Sequence, residues 1–343
     1  MDALLILAMA GILLSLFFAF TNGYNDAGAD VATMVSSGAA SVKGALLTAS
    51  LANFIGALIG GSAVVLTLQG VLTTGIGQEI SLAIFAAVAS ANLWNLFTWY
   101  YGIPSSSTHA LIGGLIGVGV SFQGLSGVNW GLSALTRGQL TGVTKVLVFL
   151  MISVLIGFLG GFVLMKIASL LLRRATVDIN VLLKRLQWFT TGAQTLAHGA
   201  NDAQKQMALI ALLLMAMGSS SDLNVPLWVR FACALAIALG TLGGGYRIMR
   251  TVGRRIFRIR PVHALVAQAN SALTVMFSTL MGAPVSSTQV VTSGVMGVGT
   301  AENRKMVHWH VGKDLVVSWF MTIPATTLLS AILVIGLRYL TGV

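Results

Sequence analysis

Long apolar segments alternate with short polar connections along the whole chain. A helix that crosses the hydrocarbon core of a bilayer needs about 20 mostly apolar residues, and only helices or closed barrels satisfy their backbone polar groups there. The length of these segments favours helices over a barrel. They lie at residues 3–20, 44–68, 80–101, 146–172, 189–217, 226–246, 264–281 and 314–339. The pattern therefore predicts an all-α polytopic membrane protein.

Composition indicates the same class of protein. Hydrophobic residues make up 56% of the chain and charged residues 8%, whereas a soluble domain carries about 25% charged residues. The mean hydropathy is +0.89. The first apolar segment has no basic residues ahead of it and no small-residue cleavage site behind it, so we expect a retained helix and not a signal peptide. The single cysteine, Cys233, excludes an intrachain disulfide and a cysteine-based metal cluster.

The net charge of +11 is concentrated in short loops between the apolar segments. Basic loops of this kind lie on the cytoplasmic side of a membrane, which explains the excess better than nucleic-acid binding does. We therefore predict that three basic loops are cytoplasmic. Loop 122–143 and both termini are predicted to lie on the outer side of the cell membrane. The loops carry Arg173, Arg174, Lys184 and Arg185; Arg247, Arg250, Arg254, Arg255, Arg258 and Arg260; and Arg304, Lys305 and Lys313.

Two motifs occur twice, in the same order. "GYNDAG" at 23–28 corresponds to "GANDAQ" at 199–204, and "GIPSSSTHALIGGLIGVG" at 102–119 corresponds to "GAPVSSTQVVTSGVMGVG" at 282–299. The repetition predicts two homologous halves, 1–172 and 188–343, joined by a basic cytoplasmic linker at 173–187. Three full crossings and one re-entrant helical hairpin in each half would invert the second half. Inverted repeats are typical of secondary transporters, whose site lies near the membrane midplane at the repeat interface.

The first repeated motif places amide and carboxylate side chains inside apolar segments. A charge at the centre of a spanning helix costs about 2.5–3.5 kcal/mol. An Asp that only caps a helix at the membrane surface would not explain why the pair recurs. Gly23 and Gly199 are expected to break their helices there, which would free backbone carbonyls as additional ligands. Oxygen ligands without His or Cys suit Na⁺, so we predict a sodium site at Asn25, Asp26, Asn201 and Asp202.

The second repeated motif predicts two helix N-termini. In "IPSSSTH" and "APVSSTQ" a Pro precedes hydroxyl side chains and then an apolar run, which is typical of the first turn of a helix. Such an end offers unpaired backbone N–H groups and a positive dipole end that attract anions. The alternative is an ordinary serine cap at the membrane surface. We predict an anion site formed by Ser106, Ser107, Thr108, Ser286, Ser287 and Thr288.

These motifs resemble those of the inorganic phosphate transporter family, of the PiT or solute-carrier-20 type. Its hallmarks are a duplicated Gly-Ala-Asn-Asp and a duplicated Pro-x-Ser-x-Thr-His. "GANDAQ" and "PSSSTH" match, "GYND" has Tyr24 for Ala, and "PVSSTQ" departs at Gln289. The resemblance implies cation-driven phosphate uptake, an inverted topology and a homodimer. It assigns functional roles to Asp26 and Asp202, to Ser106 and Ser286, and to Thr108 and Thr288.

The sequence thus predicts a symporter that imports inorganic phosphate with Na⁺ by alternating access, without a cofactor. A proton-coupled phosphate or sulfate permease of the same family stays open, and an anion channel is a remoter alternative. An enzyme is not expected, because a hydrolase built on Ser106 and His109 has Gln289 at the symmetric position. His198 and Lys205 are expected to support the polar pair or to extend towards the membrane surface, and Asp30 has no assigned role.

Overall fold

The computed structural model describes residues 3–72, 79–103, 105–219 and 224–341, and these residues are mostly helical. This confirms the predicted all-α class. The helices are α1 (Ala3–Ser36), α2 (Val42–Ile59), α3 (Ala63–Gln69), α4 (Ile80–Tyr101), α5 (Ser107–Gln123), α6 (Leu132–Leu135), α7 (Gly142–Leu171), α8 (Ile179–Ala216), α9 (Leu227–Gly243), α10 (Tyr246–Arg250), α11 (Pro261–Leu280), α12 (Ser287–Asn303) and α13 (Trp309–Thr341).

Six described helices are long and apolar enough to cross a membrane, namely α1, α2, α4, α5, α7 and α13. A seventh candidate joins α9 to Tyr246–Arg255 across a bend of 57°. The predicted segments 189–217 and 264–281 lie in α8 and α11, which do not reach the same hydropathy. Both helices bury polar side chains such as Gln194, His198 and Asn270, so their polar groups face protein and not lipid.

The predicted helix breaks at Gly23 and Gly199 do not occur. α1 and α8 continue through both positions. These glycines serve close packing instead, because a Cβ on Gly23 would lie 2.2 Å from the carbonyl oxygen of Ile237, and a Cβ on Gly199 would lie 2.2 Å from that of Asn53. A break does occur between α9 and α10, where Gly244 has a φ of +60°.

The two longest helices lie at the centre of the bundle. α1 packs against α4, α8 and α9, while α8 also packs against α2 and α11. Two groups of helices flank this centre. In one group α5 contacts α4 and α13, and in the other α12 contacts α11 and α7. The outer helices α7 and α13 expose apolar side chains, including Leu155, Leu159 and Ile335, a surface that suits lipid. The centre of the molecule is therefore the place where polar groups of α1 and α8 meet.

α5 and α12 have matching starts and equal lengths. Each has 17 residues and begins one residue after a serine whose hydroxyl caps the helix. The agreement supports the predicted duplication, and the inverted orientation of the halves stays a prediction.

The close approach of α2 and α8 at Gly199 can be tested against a second glycine on α8. Gly199→Ala should lower stability by about 1–3 kcal/mol, because the new methyl group meets backbone of the neighbouring helix. Gly192→Ala is the matched control, since a Cβ there meets nothing within 4 Å and alanine favours helix by up to about 1 kcal/mol. Thermal unfolding in detergent measures both; equal melting temperatures would contradict the packing described.

Candidate functional site

Two buried carboxylates share one hydroxyl where α1, α8 and the start of α12 meet. The Ser287 Oγ lies 3.1 Å from an oxygen of Asp26 and 3.1 Å from an oxygen of Asp202. A serine hydroxyl has one proton and can donate to only one acceptor at a time. The second carboxylate therefore needs another positive or donating group at this place.

Further donors complete the surroundings of the two carboxylates. The Thr288 hydroxyl donates to the second oxygen of Asp26. The Lys205 Nζ donates to Asp202 over 2.6 Å and to the Thr108 hydroxyl over 2.6 Å. All of these side chains are buried. The structure thus joins predicted cation-site and anion-site residues from both repeated motifs in one cluster.

The charge of the cluster depends on the ionisation of its two carboxylates. With both carboxylates ionised, Asp26 and Asp202 contribute two negative charges and Lys205 contributes one positive charge. Burial of an uncompensated charge costs several kcal/mol. One monovalent cation at the carboxylates would bring the cluster to neutrality, and carboxylate, hydroxyl and carbonyl oxygens are ligands for hard cations.

The N-termini of α5 and α12 meet beside the carboxylates. The Ser106 hydroxyl accepts a hydrogen bond from the backbone N–H of His109 over 3.1 Å, and the Ser286 hydroxyl accepts one from the backbone N–H of Gln289 over 3.4 Å, as helix caps do. The Thr108 hydroxyl donates to the Val285 carbonyl over 2.8 Å and so joins the two turns. The positive dipole ends of the two helices therefore adjoin each other.

The Ser106 hydroxyl, which caps α5, also lies close to the His109 ring. The Ser106 Oγ lies 2.7 Å from the His109 Nδ1, a distance that a nucleophile and its base would show. The same nitrogen lies 3.4 Å from the Gln289 Nε2, so His109 bridges the two turns. Pro104, which the sequence places ahead of the first turn, lies outside the described residues.

The two asparagines of the predicted cation site have other partners. The Asn201 amide donates to the Thr279 hydroxyl over 2.9 Å and to the Ala283 carbonyl over 3.0 Å, and its oxygen accepts from the Val285 N–H over 3.2 Å. Asn201 thus holds the turn that precedes α12. Asn25 is half-buried and donates to the Asn95 carbonyl over 3.2 Å. A ligand role for either asparagine stays a prediction.

Of the two expectations for Lys205, the structure agrees with support of the polar pair, because the Lys205 Nζ donates to Asp202. Lys205 is fully buried and does not extend to the membrane surface. Its spacing of three residues from Asp202 places both side chains on one face of α8. That spacing was the signal in the sequence that could have predicted the pair.

A second buried pair of titratable side chains lies outside the carboxylate cluster. The His198 Nδ1 contacts Asp30, which α1 supplies, and the His198 Nε2 lies 3.2 Å from the Ser271 hydroxyl. The Gln194 amide also donates to Asp30 over 3.4 Å. Asp30 and His198 are 168 positions apart, and no local pattern indicates that they pair.

Buried carboxylates beside two helix N-termini, inside a bundle of membrane-spanning helices, define a multi-pass membrane protein with a polar centre. Comparison with known proteins specifies the family. Residues 22–330 match the sequence profile of the phosphate transporter family. The chain belongs to this family, and its membership confirms the predicted resemblance and supports phosphate transport.

Relatives cover the chain almost from end to end. A protein of Bacillus subtilis (strain 168) named "Probable low-affinity inorganic phosphate transporter" is 36% identical over 97% of this chain and 97% of its own. A protein of Rhizobium meliloti (strain 1021) with the same name is 39% identical over 94% of this chain and 93% of its own. A solved structure titled "The sodium-dependent phosphate transporter" aligns with a TM-score of 0.84 at 23% identity, over 97% of this chain and 99% of that one. The last likeness confirms the fold.

The ion pair between Asp202 and Lys205 should be visible in stability. Asp202→Asn leaves the Lys205 ammonium buried without its carboxylate, so we expect a loss of about 3–5 kcal/mol. The double variant Asp202→Asn/Lys205→Gln removes both charges and should lose less than Asp202→Asn alone. Thermal unfolding in Na⁺-free detergent buffer measures all three proteins. A single variant that melts like the parent protein would show that the pair is not formed.

Proposed function

We propose that this chain is a secondary active symporter that imports inorganic phosphate with Na⁺. One observation carries the proposal: two buried carboxylates share the Ser287 hydroxyl at the N-terminus of α12. The excess negative charge there favours a cation, and the adjoining helix ends favour an anion. A site that attracts both ions in contact is what a cation–anion symporter requires.

The anion is proposed to bind between the two helix starts, at the hydroxyls of the repeated serine and threonine motifs. Two of these hydroxyls, those of Ser287 and Thr288, donate to carboxylates in this structure. Phosphate would compete with Asp26 and Asp202 for the same protons. A cation that binds the carboxylate oxygens would release the hydroxyls to phosphate. Binding of Na⁺ would then strengthen binding of phosphate, and by linkage phosphate would strengthen binding of Na⁺.

Two features support Na⁺ as the coupling ion. The available ligands are oxygens. The solved protein with the same fold has "sodium-dependent" in its title. A proton-coupled carrier is the rival within the family.

Selection of phosphate over sulfate is proposed to depend on a carboxylate. Phosphate keeps a P–OH group at neutral pH and can donate a hydrogen bond, whereas sulfate cannot. Asp26 or Asp202 would accept that bond, while the hydroxyls donate to the remaining oxygens. A sulfate permease is therefore the less favoured alternative.

The arrangement in the cell follows from the basic loops and the repeats. We propose a multi-pass protein of the cell membrane with both termini outside and the linker 173–187 in the cytoplasm. The two halves would rock about the central site as inverted repeats. A homodimer is proposed from the family resemblance.

Uptake by proteoliposomes tests the coupling ion. Labelled phosphate should accumulate under an inward Na⁺ gradient, saturate with concentration and resist excess sulfate. Asp26→Asn should abolish the Na⁺ dependence, because it removes the charge that balances the cation. Asp178→Asn, at an exposed position, is the matched control and should transport normally. Uptake that ignores Na⁺ and follows a proton gradient would establish the rival carrier, and large unitary currents would indicate a channel.

The anion site is tested by removing one hydroxyl at constant shape. Thr288→Val should raise the KM for phosphate about 10-fold or more, since a hydrogen bond to a charged group contributes about 1.5–3 kcal/mol. Thr292→Val, one turn later on α12, is the matched control, because that hydroxyl donates to the Thr288 carbonyl and stays within the helix. Initial rates of uptake at saturating Na⁺ give both values. Equal KM values would place the anion elsewhere, for example among the arginines of 247–260.

A further inference from the structure

Lys205 is held by the kinds of oxygen that bind a metal cation. Its ammonium nitrogen lies 2.6 Å from an Asp202 carboxylate oxygen, 2.6 Å from the Thr108 hydroxyl and 3.1 Å from the Val285 carbonyl. The lysine side chain is fully buried. A carboxylate, a hydroxyl and a backbone carbonyl from three separate segments therefore converge on one positive charge.

The corresponding position in the first half has no such charge. There the Asp26 carboxylate contacts the Thr288 hydroxyl directly. Asp202 and Thr108 are the counterparts of these two residues in the repeated motifs, and the Lys205 ammonium lies between them. The motif alignment that pairs Asp26 with Asp202 pairs Lys205 with Ala29. The two halves thus present the same carboxylate and hydroxyl, but only the second half supplies its own cation.

We propose that the Lys205 ammonium is a tethered cation that permanently occupies one of two equivalent cation positions. The other position, at Asp26 and Thr288, is left for a free cation. The inference rests on the proposed cation-coupled transport and adds to it the number of cations carried. Two empty positions would bind two free cations per phosphate, whereas this chain would bind one fewer. A neutral residue at position 205 opens the second position to Na⁺.

The experiment compares neutral and charged replacements of the lysine. Lys205→Ala reproduces the residue of the first half, Lys205→Gln keeps a long polar side chain, and Lys205→Arg keeps the charge. Lys166→Gln is the control that removes the same charge at an exposed position on α7, where its Nζ lies 5.7 Å from the centre of the Phe162 ring. Equilibrium binding of radiolabelled Na⁺ to purified protein counts the sites. The Na⁺ gradient that stops net phosphate flux in proteoliposomes held at zero membrane potential gives the Na⁺-to-phosphate ratio.

We expect one additional bound Na⁺ per chain in Lys205→Ala and Lys205→Gln, and one additional Na⁺ per phosphate wherever these variants transport. Lys205→Arg and Lys166→Gln should keep the parent count. Na⁺ should also raise the melting temperature of the neutral variants more than that of the parent protein. Neutral variants that bind no more Na⁺ than the parent, or that stay unfolded at every Na⁺ concentration, overturn the proposal.

The outcome for Lys205 is separable from the outcome for the proposed function. If the parent protein binds no Na⁺ and carries phosphate with protons, the proposed coupling ion is wrong. A single Na⁺ gained by the neutral variants would still support the tethered cation. If instead these variants lose phosphate affinity at every Na⁺ concentration and gain no Na⁺ site, Lys205 is a phosphate ligand and the proposal fails.

Discussion

The shared hydrogen bonding of two carboxylates inside an apolar bundle constrains the rest of the structure. Removing Asp26 and Asp202 from water costs several kcal/mol for each charge, so neighbouring helices must supply donors at that one place. The first turn of α12 and the Lys205 ammonium do so. The helices that contain the carboxylates, α1 and α8, are unbroken and closely packed. The two carboxylates and the Lys205 ammonium are therefore positioned by rigid elements, while the hydroxyl donors lie at the start of a helix that follows irregular backbone.

That division indicates where a change of state would be least costly. The turn before α12 is held by the Asn201 side chain and by Thr108 across the site. Hydrogen bonds of this kind can exchange partners without disturbing the packing of α1 against α8. Under the proposed function, ions that enter the site replace hydrogen bonds between protein groups and do not fill a preformed empty cavity. This exchange of hydrogen bonds would couple the binding of the cation to the binding of the anion.

The charges of the molecule depart from its sequence symmetry. Asp30 pairs with His198, whereas the repeated motif would place Gln206 and Asn22 in the corresponding positions. Lys205 has only Ala29 as its counterpart. The pair of Asp30 and His198 has its own contacts with Gln194 and Ser271 and lies outside the cluster of Asp26, Asp202 and Lys205. Near-identical motifs can therefore form a site whose two sides differ in charge, and that difference is the basis for assigning distinct cation positions to them.

The sequence by itself determined the class of protein, the main spanning segments and the residues worth testing, because hydropathy and repetition are local properties of the chain. It also pointed to Asp26, Asp202 and the hydroxyl motifs as one functional unit. Only the tertiary structure decided that α1 and α8 stay unbroken, that the asparagines bond elsewhere, and that Lys205 lies within the site. The physical reason is that these outcomes depend on which backbones approach each other: Ser287 and Asp26 are 261 positions apart, and no local pattern encodes their contact.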